Sequence, residues 1–331
     1  MPANEEQQRQ AECFCSVYSV PGRYVNDHCF VEADDHTLHL FHIVGPVGKG
    51  CYDAGSEVSF GHATSRDLSE WTGHDDTLPA DPCLVHERHH VFAPFVCEHD
   101  GGYFLFYAGV NQDVRRESMC LARSPDLHRW QKHPYNPIFR PSRHWAEYGQ
   151  NPVLWGCCRD PHILRHPEFG FILYFVTWLK DTCGQVVAIG AAVSDDLVSW
   201  QDAGPVLVRG FASGHSTTSM ESPCVVERNG IYHLFYKHRE ETRLVMSDDP
   251  FRFSDKEDRW FSVAHAAEIF QSGESWYISS CSRDTLDVRH ERSDRTRGLF
   301  LASLDWSDET PTVVPFTPFR QHRPEGRREG Q

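Results

Sequence analysis

Three acidic residues of this 331-residue chain lie in segments that resemble one another. The segments are Asn26-Asp27-His28, Arg159-Asp160-Pro161 and Glu221-Ser222-Pro223. If they are equivalent parts of a repeat, Asp27, Asp160 and Glu221 occupy the same repeat position and meet in one pocket. Crowded carboxyl groups repel one another and lose hydration, which opposes folding. Such a cost is usually retained for chemistry, and we interpret the three residues as catalytic.

Cleavage of a glycosidic bond is the chemistry that best uses such a trio. Repulsion separates the protonation of neighbouring carboxyl groups, so that one donates a proton and another stays ionised. The acid protonates the leaving oxygen, while the carboxylate attacks the anomeric carbon or activates water. The third group can orient sugar hydroxyls and favour the developing oxocarbenium charge.

Each residue also has an ordinary structural explanation. Asp27 could cap a strand end, Asp160 could pair with Arg159, and Glu221 could be a solvated strand terminus. We favour the catalytic interpretation because three carboxylates at one repeat position are a much rarer event than any one of them.

A repeated heptad indicates which elements position these residues. The pattern Ser-x-Asp-Leu-x-x-Trp occurs at Ser65–Trp71, Ser124–Trp130 and Ser194–Trp200, with degenerate copies at Ser247–Phe253 and Ala302–Trp306. A short aromatic and β-branched run precedes each copy, as expected for a strand. Five units of about four strands predict an all-β fold, a five-bladed β-propeller. A β-sandwich is the alternative, and the near absence of a 3.6-residue apolar period disfavours an α/β fold.

The polarity of the chain ends predicts the domain limits. We expect a polar N-terminal arm over residues 1–20, one propeller over 21–318 without an appended β-sandwich, and a disordered tail over 319–331.

Composition excludes several classes of protein. The net charge is −15, which disfavours nucleic-acid binding. The longest apolar run, Phe169–Leu179, is too short to cross a bilayer. The N-terminus has no apolar signal segment, and the 12 cysteines form no C-x-x-C pair. We therefore predict a cytoplasmic protein with reduced thiols.

Further polar residues complete the predicted site. Asn26 and Arg159 flank the acidic positions, His265 occupies the corresponding position of unit five, and His215 lies in the loop before Glu221. We expect these four to bind substrate, although His265 could equally be a hydrogen-bonded core histidine. We expect no cofactor and no metal, because the run 86–90 lacks the H-E-x-x-H spacing and falls in a loop expected to be solvated.

Several of these segments resemble motifs of the fructan hydrolases, the family of invertases, inulinases and levanases. Val58–Trp71 is similar to their W-G-H-A-x-S-x-D-L-x-x-W stretch, and Arg159-Asp160-Pro161 matches R-D-P. Glu221-Ser222-Pro223 resembles their E-C-P and also the E-x-P of the arabinan- and xylan-cleaving propeller enzymes. The resemblance implies that Asp27 is the nucleophile, Asp160 the transition-state stabiliser and Glu221 the acid/base.

The chain departs from the family pattern at three places. His28-Cys29-Phe30 replaces P-N-G, Ile43 replaces a glutamine and Phe60 replaces a tryptophan. The first hypothesis is a glycoside hydrolase that cleaves a terminal furanoside bond of a small carbohydrate. The alternatives are a glycosyl transferase, a non-catalytic sugar-binding propeller and a repurposed enzyme for a non-sugar metabolite. Retention or inversion depends on the separation of the carboxylates and stays open.

Overall fold

Five antiparallel sheets form the core of the protein. The computed structural model describes residues 5–149, 155–184, 186–210, 220–281 and 298–318. The sheets follow one another along the chain, and their first strands contact one another in ring order. The expected all-β, five-bladed β-propeller is therefore confirmed, and no appended β-sandwich is present among the described residues.

Each of the first four blades is a four-stranded meander. Blade one contains β2 (Arg23–Glu32), β3 (Leu38–Pro46), β4 (Phe60–Ser65) and β5 (Thr72–Gly73). Blade two contains β6 (His90–His99), β7 (Gly102–Asn111), β8 (Arg116–Ser124) and β9 (Gln131–Lys132). Blade three contains β10 (Arg159–His166), β11 (Gly170–Trp178), β12 (Val186–Ser194) and β13 (Gln201–Gly210). Blade four contains β14 (Glu221–Arg228), β15 (Ile231–His238), β16 (Glu241–Ser247) and β17 (Arg259–Ser262).

Blade five joins the two ends of the chain. It contains β1 (Cys15–Tyr18), β18 (Ile269–Ser272), β19 (Ser275–Ser280), β20 (Leu299–Asp305) and β21 (Thr312–Val314). The outer edge of β20 pairs with β1 along its first half and with β21 along its second half. A short helix, α1 (Glu5–Ala11), precedes β1, and a 3₁₀ turn spans Asp255–Glu257.

The N-terminal segment thus differs from the loose polar arm expected over residues 1–20. Its strand β1 closes the ring, and the Gln10 side chain of α1 bonds the backbone of Phe261 and Val263. The sequence pattern missed this strand because Cys15–Tyr18 is short and its partner lies at the opposite end of the chain. The tail over 319–331 lies outside the described residues.

The repeated heptad forms the turn that ends the third strand of a blade. In blade one, Asp67 accepts the backbone N–H groups of Ser69 and Glu70, and the Ser65 hydroxyl accepts that of Leu68. Leu68 has a φ of 65°, and this strain is offset because its side chain is almost fully buried. The Trp71 indole donates to the Leu68 carbonyl. Leu127 and Leu197 have the same backbone conformation in the next two copies.

Large apolar side chains fill the spaces between neighbouring blades. Phe60 of blade one and Tyr107 of blade two are fully buried, with ring centroids 6.0 Å apart. Phe30 stacks on Phe270 at 4.0 Å where blade one meets blade five. These contacts hold the inner strands close to the axis. No helix in the described part of the chain has the length and apolarity needed to cross a membrane.

Candidate active site

A bulge in the inner strands shapes the centre of the propeller. In β6, β10 and β14 two residues oppose one residue of the neighbouring strand, which shifts the pairing register. The first bulged residue has a positive φ in each case, 48° at Ala93, 54° at Asp160 and 49° at Ser222. Ala266, just before β18, has a φ of 47°. The bulge turns equivalent residues of different blades towards one another.

The structure brings Asp27 and Asp160 together through Ser222. The Ser222 hydroxyl donates to Asp27 Oδ1 at 2.7 Å, and the Ser222 backbone N–H donates to Asp160 Oδ2 at 3.0 Å. Three blades therefore meet at this serine. Sequence reasoning missed it, although it stands at the repeat position of Asp160.

Glu221 belongs to the same cluster but not to the same repeat position. It pairs with Lys237 just before the bulge, as Arg159 pairs with Val176, whereas Asp160 lies within the bulge of β10. The expectation that all three carboxylates share one position is therefore wrong. Asp160 is the first residue of its bulge and Glu221 directly precedes one, whereas Asp27 is the second residue of the matching bulge in β2. The three side chains still converge, because one guanidinium contacts both Glu221 and Asp160.

Arg159 is the centre of this ion-pair network. Its guanidinium lies 2.6 Å from Glu221 Oε1, 3.2 Å from Glu117 Oε2 and 3.6 Å from Asp160 Oδ2. Glu117, from β8, is almost fully buried and also accepts the Tyr52 hydroxyl at 3.3 Å. Arg159 thus orients the cluster, and its predicted place beside the carboxylates agrees with the geometry.

Lys237 supplies a second cation that the sequence analysis did not identify. It lies opposite Glu221 on β15, is buried, and donates to the second oxygen of the Glu221 carboxylate. Pairing residues outward from the hairpin turn at Asn229-Gly230 would place Lys237 opposite Glu221 only if the bulge in β14 were known in advance. Both oxygens of Glu221 are thus held by cations.

These contacts set the protonation of the two buried acids in opposite directions. Burial raises the pKa of Asp160; Arg159 opposes this rise, and the charges of Asp27 and Glu221 add to it. Burial acts in the same direction on Glu221, but Lys237 and Arg159 outweigh it and hold its pKa well below the usual range. The two acids thus differ in protonation, but Glu221, the expected proton donor, is the ionised one, because the neighbouring cations hold its charge.

The other predicted binding residues are placed as follows. His265 is buried, its Nδ1 lies 2.9 Å from Glu240 Oε2, and it is near enough to Glu221 to be among the groups that lower the pKa of that carboxyl. Asn26 is half-buried next to Asp27, and the Cys281 thiol donates to its side-chain oxygen at 3.5 Å. His215 lies outside the described residues.

Two aromatic side chains lie beside the ion-pair network of Arg159. Tyr52, in the loop between β3 and β4, is 42% exposed, and its ring centroid lies 5.1 Å from that of Trp155. The Tyr52 hydroxyl also donates to Glu117, so the Tyr52 and Trp155 rings lie beside the ion-pair network as an apolar wall. Acidic groups beside an aromatic wall suit a sugar ring, which has polar edges and apolar faces.

Comparison with known proteins agrees with this geometry. The sequence profile of the glycosyl hydrolases family 32 N-terminal domain matches residues 19–223. The chain belongs to glycosyl hydrolase family 32. The expectation that the protein is a glycosidase is therefore confirmed. No curated protein sequence matches the chain significantly.

Solved structures show the same fold at low sequence identity. The family-32 β-fructofuranosidase of Bombyx mori superposes with a TM-score of 0.68 at 18% identity, over 94% of this chain and 67% of that one. Sucrose-6-phosphate hydrolase from Lactobacillus gasseri gives 0.66 at 17% identity, over 94% and 65% of the two chains. An α-L-arabinofuranosidase from Clostridium thermocellum gives 0.59 at 16% identity, over 89% and 95%. The chain thus spans about two thirds of the two family-32 structures and nearly the whole of the arabinofuranosidase.

Proposed function

We propose that the enzyme hydrolyses the terminal furanosyl residue of a small carbohydrate, with Asp27, Asp160 and Glu221 as its catalytic residues. The observation that carries this proposal is that Ser222 donates hydrogen bonds to both Asp27 and Asp160. Glu221, the residue directly before Ser222, is held beside them by the Arg159 guanidinium. Acids from three blades thereby surround the propeller axis.

We assign the roles of the three acids from the resemblance to the fructan hydrolases. Asp27 attacks the anomeric carbon, and Glu221, nearer the mouth, protonates the leaving oxygen and later activates water. Asp160, from the bulge of β10, orients the sugar hydroxyls and thereby stabilises the transition state. Arg159 and Lys237 position Glu221, and Asn26, His265 and His215 contribute to substrate binding.

The charge on Glu221 gives the reaction a pH requirement. Its cation partners keep it ionised in the free enzyme, whereas the first step needs its protonated form. Turnover through Glu221 therefore requires that it take up a proton, and activity should rise as the pH falls below neutrality.

A panel of substrates tests the proposed activity. Sucrose, 1-kestose, an aryl β-fructofuranoside, an aryl α-arabinofuranoside and an aryl β-xylopyranoside are incubated with the enzyme, and the released sugar is identified. We expect release of a terminal furanose and no turnover of the pyranoside. Products extended by an added sugar acceptor would favour transfer, and turnover of none of the five would contradict the proposal.

The anomer that forms first tests the role of Asp27. Proton NMR during the first minutes of hydrolysis should show retained configuration if Asp27 forms a covalent intermediate. Inversion would show instead that Asp27 activates water.

We also propose that the enzyme works in the cytoplasm on a small carbohydrate. None of the 12 cysteines forms a disulfide in the described residues, and six of them are buried. Buried thiols without disulfides are typical of reducing compartments.

A further inference from the structure

A second group of polar side chains follows the catalytic acids by two or three residues along the inner strands. His162 follows the bulge of β10, Cys224 follows the bulge of β14, and Glu268 directly precedes β18. One ligand-type atom from each residue lies within 4.8 Å of the other two. This span is close to the separation of roughly 4 Å between two ligands of a single zinc ion.

We propose that His162, Cys224 and Glu268 bind a divalent transition-metal ion of the zinc type near the propeller axis. This differs from the sequence-based expectation of no metal, because the three residues are far apart in the chain and only the ring of blades brings them together. The ion would tie blades three, four and five to one another and takes no part in the hydrolytic step.

His162 has the hydrogen bonding of a metal ligand. Its Nε2 donates to the Val225 carbonyl at 3.0 Å, which leaves Nδ1 as the basic nitrogen. Nδ1 is buried and has no hydrogen-bond partner among the described residues. Histidines that ligate metals commonly donate their other ring N–H to a backbone carbonyl in this way.

Cys224 and Glu268 supply the anionic ligands. The Ile269 backbone N–H donates to Cys224 Sγ at 3.4 Å, a contact that supports a thiolate. A bound cation would displace the protons of the thiol and the carboxyl group and compensate the buried charges, so affinity should increase with pH.

A small cavity adjoins Glu268, one of the three proposed ligands. It measures about 20 Å³ and is lined by Glu268 together with Asp27, Asp160 and Ser222. A cavity of this size holds one water molecule. Three protein ligands and a water complete the tetrahedral geometry of zinc. Sulfur and nitrogen donors favour zinc over calcium or magnesium, which prefer oxygen.

A second cluster, His86, Glu87 and Cys120, serves as an internal comparison. Contrary to the solvated loop expected over residues 86–90, Glu87 is fully buried. Its two oxygens already accept bonds from Lys132 and from the Tyr107 hydroxyl. This cluster is therefore a satisfied ion pair, and we do not expect it to bind the ion.

Metal titration of the full chain tests the proposal. The protein is freed of metal by dialysis against a chelator, and Zn²⁺ is titrated in competition with a chromogenic chelator. We expect one Zn²⁺ per chain and, with Co²⁺ instead, a thiolate-to-cobalt charge-transfer band. Absence of stoichiometric binding, or of that band, would overturn the proposal without any variant.

Two matched variants locate the site. Cys224→Ser should weaken Zn²⁺ binding by more than about 100-fold and abolish the charge-transfer band. Cys120→Ser, a substitution of an equally buried thiol in the comparison cluster, should bind Zn²⁺ as the wild type does. Wild-type binding by Cys224→Ser, or loss of binding only in Cys120→Ser, would place the ion elsewhere and refute the assignment.

Discussion

Lys237 and Arg159 determine the charge of the proposed acid. Glu221 is 15% exposed in its side chain and has a cation on each oxygen. A buried carboxylate held in this way is stabilised in its ionised form. The catalytic trio is thus not a set of three equivalent acids, because its surroundings favour the neutral form of Asp160 and the ionised form of Glu221.

Removal of the Lys237 charge should move the pH profile. In Lys237→Met the pKa of Glu221 rises, so the protonated acid persists to higher pH. The limb of kcat/KM that falls with increasing pH should shift upward by at least about 1 unit, because that limb reports the acid of the free enzyme. The measurement is kcat/KM between pH 4 and pH 9. Lys237→Arg keeps the charge and should leave the limb in place; an unshifted limb in Lys237→Met would disprove the role of Lys237.

Ser222 should matter for turnover through its hydroxyl. Ser222→Ala removes the bond to Asp27, and a hydrogen bond to a charged group contributes about 1.5–3 kcal/mol. We therefore expect kcat/KM to fall by roughly 10- to 100-fold, while the circular dichroism spectrum stays unchanged. Ser65→Ala, which removes a hydroxyl from an outer turn, should retain wild-type kcat/KM well below the melting temperature. Equal activities of the two variants would count against the Ser222 contact.

At the scale of elements, the heptad turn recurs because its own side chains accept hydrogen bonds from the backbone N–H groups of the turn. Asp196 accepts the N–H groups of Val198 and Ser199, as Asp67 does for its own turn. The Leu at the strained position is buried in every full copy. The motif therefore marks the end of a third strand and carries no chemistry.

Loss of this acceptor should affect stability and not catalysis. Asp196→Ala leaves two backbone donors without their partner, and we expect a loss of about 1–2 kcal/mol in the free energy of unfolding. Thermal unfolding followed by circular dichroism measures it. The neighbouring exposed Asp195→Ala is the control and should melt like the wild type. A similar loss in both variants would show that charge, not the turn, is responsible.

The sequence predicts the blades well because each copy of the heptad and each aromatic run is local. It predicts the site only in part. Asp27, Asp160 and Glu221 are visible as acids in similar segments, whereas Lys237 and Glu117 reach the site from a second and a third strand. Their positions depend on bulges that no residue pattern announces, and the same bulges explain why Glu221 lies one residue away from the expected position.

At the scale of the whole molecule, the ring is closed by β1 pairing with β20. This contact joins residues about 280 positions apart, so it constrains the entire propeller. A ring that lacks its closing strand exposes the edge of β20 and the apolar faces beneath it.

Truncation tests this closure. A chain that starts at residue 20 lacks α1 and β1 and should melt at a clearly lower temperature, with added exposure of apolar surface to a fluorescent dye. A chain that starts at residue 5 keeps both elements and should melt like the full protein. Unchanged melting of the shorter chain would mean that β1 contributes nothing to closure.

The catalytic assignment is tested most directly by turnover of Asp27→Asn and Glu221→Gln on a furanoside that the wild type cleaves. Both changes preserve side-chain volume, and circular dichroism establishes that each variant is folded. We predict that Glu221→Gln loses about 10²–10⁴-fold in kcat, and that Asp27→Asn loses more, since its nucleophile is gone. Hydrolysis at the wild-type rate by either folded variant would contradict the account.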